Sequence, residues 1–161
     1  MSEPFQPPGP PAPPTARTGR RTRRSYDLWI LFGLALVVMT VLNWPASPPP
    51  GWAAEYDGAL REATRLGKPL LVGFYLDGCV PCKLMDRTTL RSEQVVKALG
   101  GFVPVRLNLA AEGDLAARLG VVAAPTYVAL DPTETPLGRF EGSADETEFL
   151  RFLAAAQARR H

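Results

Sequence analysis

The two cysteines of the chain stand three positions apart, in Cys79-Val80-Pro81-Cys82. Two thiols at that spacing in the first turn of a helix lie to one side, close enough to form a disulfide. A helix N-terminus offers free N–H groups and the positive end of the backbone dipole, and both stabilise a thiolate. A stabilised thiolate on an exposed sulfur is the attacking species in thiol–disulfide exchange. Cys79 is therefore the expected nucleophile. Cys82, one turn deeper, is expected to resolve the mixed disulfide. Pro81 is tolerated because a first-turn residue has no helical hydrogen bond to lose. An inert bridge over so short a span closes almost no loop and stabilises little. A metal site needs more ligands than two thiols. A Cu(I) carrier calls for an extra Met or His near the motif, where only Met85 stands.

The rest of the composition removes other chemistries. The only histidine is His161, the last of 161 residues, so mechanisms built on imidazole or on His-rich metal sites are not expected. No GxGxxG motif is present for a flavin or nicotinamide, and no cofactor beyond the Cys79–Cys82 pair is expected. The formal net charge is +2, too small to argue for nucleic acid.

The elements that must position the cysteines lie between Trp52 and His161. Tyr56, Leu60, Ala63 and Leu66 recur at helical spacing within 53–66, and Gly67 stops the pattern. Leu70 to Leu76 (LLVGFYL) is a continuous apolar run, as in a strand buried on both faces. A helix starts at Cys79 and breaks near Thr88-Thr89, and a second helical piece covers Ser92 to Leu99. Phe102 to Leu109 is a strand whose Pro104 points to an edge. Asp114 to Leu119 is a short helix. Thr126 to Leu130 and Leu137 to Glu141 are strands joined by a turn. Ser143-Ala144-Asp145-Glu146 fits a capping box before a last helix that turns Phe149, Phe152, Leu153 and Ala156 inward. Helices between the early strands argue for parallel pairing there, and the late strands for a hairpin.

Ahead of this part the chain has a different character. Seven of its prolines fall within the first 14 residues, where Phe5 is the only aromatic residue. That stretch reads as a solvated, polyproline-like tail, with an SH3-type ligand as the sharper alternative. Five arginines follow (Arg17, Arg20, Arg21, Arg23, Arg24), then the uncharged run Leu28 to Trp44. As a helix this run spans ~25 Å, the short end of what a bilayer needs. Tyr26, Trp29 and Trp44 stand where interfacial anchors would, and the arginines predict a cytoplasmic N-terminus. A cleaved signal peptide competes, and Thr22-Arg23-Arg24-Ser25-Tyr26 is loosely twin-arginine-like. Pro45 and Pro48-Pro49-Pro50 make a poor cleavage region, so an uncleaved anchor is expected. The expected organisation is a tail over 1–25, a transmembrane helix over 26–44, a Pro-rich linker over 45–51 and a folded domain over 52–161. From Trp52 onward 13 Lys/Arg face 14 Asp/Glu. The basicity therefore belongs to the leader, and no nucleic-acid partner is expected.

Leu71-Val72-Gly73-Phe74-Tyr75-Leu76-Asp77-Gly78-Cys79-Val80-Pro81-Cys82-Lys83 resembles the active-site strand and helix of the thioredoxin family. Val105-Arg106-Leu107-Asn108 is similar to that family's central strand, Ala124-Pro125-Thr126-Tyr127-Val128 to its cis-proline loop, and Gly142 to the glycine before its last helix. The lead-in helix and the stretch Met85 to Leu99 look more like the C-terminal extracytoplasmic domain of the DsbD membrane reductases than like cytosolic thioredoxin. The resemblance covers roughly 52–158. It implies an α/β thioredoxin-like fold, a mixed central sheet flanked by helices, here preceded by one transmembrane helix.

The same resemblance implies that Cys79 attacks and Cys82 resolves. It implies a cis Ala124-Pro125 bond, with Ala124, Pro125 and Thr126 in the substrate-binding loop, and Pro81, Lys83 and Arg106 at positions that tune the cysteines. Three departures stand out. The family's buried acid is replaced by Gly73, which leaves Asp77, Glu62 or water to move protons at Cys82. The tryptophan before the first cysteine is Gly78. Arg106 stands where many members have lysine, either tuning the thiolate or lying on the surface as a plain cation. The function implied is a membrane-tethered, extracytoplasmic oxidoreductase that reduces disulfides in exported proteins or apocytochromes. Its partners would be disulfide-bearing proteins and a polytopic membrane electron donor, and it would act as a monomer. An oxidase or isomerase on the same fold, or a non-catalytic binding module, are the alternatives.

Overall fold

A computed structural model describes Gly9, residues 24–43 and residues 49–160. The expected proline-rich tail, apart from Gly9, Arg24 and Ser25, lies outside the described residues, as do Trp44 and linker residues 45–48. The described chain divides into two bodies, one up to Leu42 and one from Asn43 onward.

The first body holds helix α1, Arg24–Asn43, up to Leu42. Its large apolar side chains from Leu28 to Val41 are exposed, Trp29 at 73% among them. Among the described residues no helix is long and apolar enough to cross a membrane. A helix stands at the expected place, and the crossing itself is not shown.

The second body is built on a four-stranded sheet in the order β2-β1-β3-β4. Its strands are β1 (Leu70–Tyr75), β2 (Val103–Asn108), β3 (Thr126–Leu130) and β4 (Pro136–Glu141). β1 pairs in parallel with β2 and antiparallel with β3, and β3 and β4 form the expected hairpin. Pro104 lies on edge strand β2, where its missing donor is tolerated. The helices are α2 (Tyr56–Leu66), α3 (Val80–Arg87), α4 (Glu93–Leu99), α5 (Gly113–Arg118) and α6 (Glu146–Ala158). A 3₁₀ turn, Thr89–Arg91, fills the break after α3.

Alternation along the strands feeds two cores. Leu70, Val72 and Phe74 pack with Val105, Leu107 and the inner faces of α2 and α5. Leu71 packs on the opposite face with Met85, Leu90, Val95, Tyr127, Phe149 and Leu153. Three layers result, with β1 buried at their centre. The end of that strand is a rigid base for the cysteines.

Two expectations shift. The first helix begins at Tyr56 and not at Ala53. Ala53 instead bridges to Val105, donating to the Pro104 carbonyl at 2.9 Å and accepting from the Arg106 N–H at 2.9 Å. The open edge of β2 captures the backbone, and Glu55 then caps the helix by accepting from the Gly58 N–H. The capping box lies two residues further on, with Asp145 as the cap and Glu148 as its partner. The Ala144 carbonyl accepts from the Thr89 hydroxyl at 2.7 Å, which fixes the chain just before that cap.

Candidate active site

β1 delivers the chain to a tight turn. Gly78 there has φ 77°, a left-handed conformation that a tryptophan adopts only with strain, so this departure has a backbone cause. Cys79 follows as the N-cap of α3, and its Sγ accepts the Cys82 N–H at 3.2 Å. Val80 and Pro81 fill the first turn, where Pro81 removes no helical bond. Cys79 and Cys82 are joined, with S–S 2.01 Å and Cα–Cα 5.3 Å. Cys79 is half-buried and Cys82 only 2% exposed. The N-terminal sulfur alone is open to a partner.

The loop before β3 closes over this pair. Ala124-Pro125 is cis, and the Cys79 Sγ lies 3.9 Å from the Ala124 carbonyl oxygen. The Pro125 carbonyl accepts from the Gly142 N–H at 2.8 Å, which ties the loop to the end of β4. Ala124 is half-buried and Pro125 buried. Thr126 is 1% exposed, and its hydroxyl donates to the Ala123 carbonyl at 2.8 Å. It holds the loop and is not open to solvent. Val80 and Val122, 74% and 88% exposed, add apolar surface beside Cys79 and on the loop.

Behind Cys82 is a cavity of about 200 Å³ whose wall includes Trp52, Tyr75, Asp77, Lys83, Asp86 and Arg106. Arg106 is buried, so the surface-cation alternative does not hold. Its Nη2 donates to Asp86 Oδ2 at 2.8 Å and lies 2.8 Å from Oδ1. Its guanidinium carbon sits 5.0 Å over the Tyr75 ring. Burial pushes the Asp86 carboxyl up, while Arg106 and then Arg91 pull it back. Burial likewise raises the Tyr127 phenol.

The structure explains the absent acid. A Cβ on Gly73 would meet the Trp52 and Tyr127 rings, each at 3.0 Å. Aromatic carbon fills the space an acid on β1 would need. Of the expected substitutes, Glu62 is paired with Arg65 on α2 and has no part in the cavity wall. Asp77 is in the wall, accepting from Asn108 Nδ2 at 3.0 Å. Asp86 escaped the sequence reading. Its signal was the interval of four from Cys82, which puts both on one helix face.

Residues 51–132 match the family model described as Thioredoxin-like. The thiol:disulfide interchange protein DsbD of Cronobacter sakazakii is 36% identical over 105 residues, 62% of this chain and 18% of its own. DsbD of Pseudomonas fluorescens is 34% identical over 113 residues, 66% of this chain and 19% of its own. The chain thus spans under a fifth of the length of these relatives. A solved thioredoxin from Thermus thermophilus superposes with TM-score 0.58 at 28% identity, covering 65% of this chain and 85% of that one. The oxidised C-terminal domain of DsbD from Neisseria meningitidis shares the fold, with TM-score 0.52 at 21% identity, covering 68% of this chain and 99% of that one.

Proposed function

The chain belongs to the thioredoxin-like family, and on that premise we propose that it is a membrane-tethered thiol–disulfide oxidoreductase that reduces disulfides in exported proteins or apocytochromes. One observation carries the chemistry. The accessible sulfur of Cys79 caps a helix, accepts the Cys82 N–H and faces the Ala124 carbonyl, while Cys82 is buried beneath it. In the reduced state the cap N–H and the helix dipole favour a Cys79 thiolate. That thiolate attacks a substrate disulfide, and Cys82 displaces the substrate from Cys79. Ala124 offers its backbone to the substrate, Pro125 shapes the loop, and Pro81 and Lys83 tune the pair.

The likeness to DsbD interchange proteins supports the reducing direction. The run from Leu28 to Trp44 is the tether, the arginines before it remain cytoplasmic, and the domain from Trp52 works outside as a monomer. Electrons then have to come from within, through a polytopic membrane donor that reduces the Cys79–Cys82 bond.

Cys82→Ser in the full chain tests this reading. Exported proteins accumulate on Cys79 as mixed disulfides that reductant releases, and the chain stays with the membrane after carbonate extraction. A variant with an alkylatable Cys79 and no adducts contradicts the chemistry. Release by carbonate contradicts the tether.

A further inference from the structure

The residues that lead into α2 are tied to the cavity behind the disulfide. The Ala53 N–H donates to the Pro104 carbonyl, and the Ala53 carbonyl accepts from the Arg106 N–H, both at 2.9 Å. These two bonds clip the lead-in segment to β2 at the residue whose side chain lines the cavity. They hold Trp52 against the core on the α3 side of the sheet, edge-on to Tyr127 with ring centroids 6.3 Å apart. Gly73 leaves a gap in that face of β1, and the Trp52 Cζ3 stands 3.0 Å from where its Cβ would be. Trp52 also shares the cavity wall with Cys82, so without the indole the cavity would extend over Gly73. We propose that Trp52 is a positioning residue for the redox couple: its ring plugs the space over Gly73, shields Cys82 from water and so keeps the resolving sulfur a neutral thiol and the couple reducing.

This deepens the exchange chemistry proposed above and rests on it. Cys82 is 2% exposed although it lines a cavity. A thiol in such surroundings holds its proton, because a thiolate there is poorly solvated. Hydrating the sulfur would stabilise its thiolate, favour the dithiol and make the couple more oxidising. The indole contributes bulk and not a hydrogen bond, since its buried Nε1–H has no partner among the described residues. The charged and titratable groups around the cavity are otherwise engaged or unaltered. Asp86 and Arg106 form an ion pair, Asp77 accepts from Asn108, and Arg91 donates to the Asp86 backbone carbonyl. Tyr75 lies beneath the Arg106 guanidinium, Lys83 shares the wall, and Tyr127 is buried. Removing the indole therefore changes hydration and leaves every charge in place.

The step it governs is resolution of the mixed disulfide. Cys82 loses its proton to solvent and its thiolate attacks the Cys79 Sγ. The Cys79–Cys82 bond forms and the bond from Cys79 to the substrate sulfur breaks. The substrate sulfur leaves with the electron pair and takes a proton from solvent. The dithiol has lost two electrons and the substrate disulfide has gained two.

The test uses the full chain, equilibrated in redox buffers and, when reduced, mixed with a disulfide-bonded peptide under rapid quench. Trp52→Ala is expected to shift the equilibrium about tenfold or more toward the dithiol, a rise of about 30 mV. The pH midpoint for decay of the mixed disulfide should fall, while its formation at Cys79 is unchanged. Trp52→Phe returns a ring without the N–H and should restore both. Ala53→Pro keeps the indole but removes one clip, and should move both in the direction of Trp52→Ala. An unmoved equilibrium and midpoint in Trp52→Ala overturn the proposal, as does a failure of Trp52→Phe to restore them. A further measurement needs neither substrate nor variant: Cys82 is titrated by carbon NMR in the reduced wild type. It should titrate above the free-thiol value of about 8.5, and a value at or below it overturns the proposal. A wild-type chain that leaves the peptide oxidised refutes the exchange function instead, and the equilibrium and the titration still decide the role of Trp52.

Discussion

Arg106 on β2 and Asp86 on α3 form an ion pair at 2.8 Å, with side chains only 5% and 7% exposed. Breaking such a pair from one side leaves a buried charge without compensation, at a cost of about 3–5 kcal/mol. Arg106→Met should therefore lower the unfolding free energy by that order in urea denaturation. The double variant Asp86→Leu/Arg106→Met should recover most of it.

The same pair sets a pH dependence. Burial outweighs Arg106, so Asp86 keeps its proton to higher pH in the fold than in the unfolded chain. Between the unfolded value of about 4 and the raised folded value, the native state holds more protons. Stability then falls as pH rises through that window and levels off above it. Urea midpoints across that range should fall less steeply for Asp86→Asn than for the wild type.

Position 73 should resist an acidic side chain. The new side chain of Gly73→Asp starts 3.0 Å from the Trp52 and Tyr127 rings. Overpacking of this kind costs about 1–3 kcal/mol, and burying a carboxyl adds to it. Thermal unfolding should show a large loss for Gly73→Asp and a smaller one for Gly73→Ala. Trp52→Ala should relieve part of either.

The N-terminus of α6 offers a control away from the cysteines. Asp145 accepts from the Glu148 N–H at 2.8 Å. Asp145→Ala should cost about 1 kcal/mol in stability and leave exchange kinetics at Cys79 unchanged.

What was legible in the sequence was local. The apolar run of β1, the cysteine spacing and the edge position of Pro104 each declare themselves within a few residues, whereas the cis bond at Pro125 follows only from the family resemblance. The start of α2 did not, because Ala53 is drawn onto β2 by a strand some fifty residues later. The capping box was misplaced because Ser143 and Asp145 are both good caps, and the choice depends on Thr89 gripping the Ala144 carbonyl. The Asp86–Arg106 pair joins a helix to a strand across an intervening helix, so no local pattern marks it. The reason for Gly73 is likewise a contact, made by rings from either side of the chain.

The reduction potential of the Cys79–Cys82 couple tests the central claim most directly, measured on the chain in redox buffers of known poise. A value at or below about −220 mV is predicted, as a disulfide reductase requires. A value near about −120 mV belongs to an oxidant and would contradict the account.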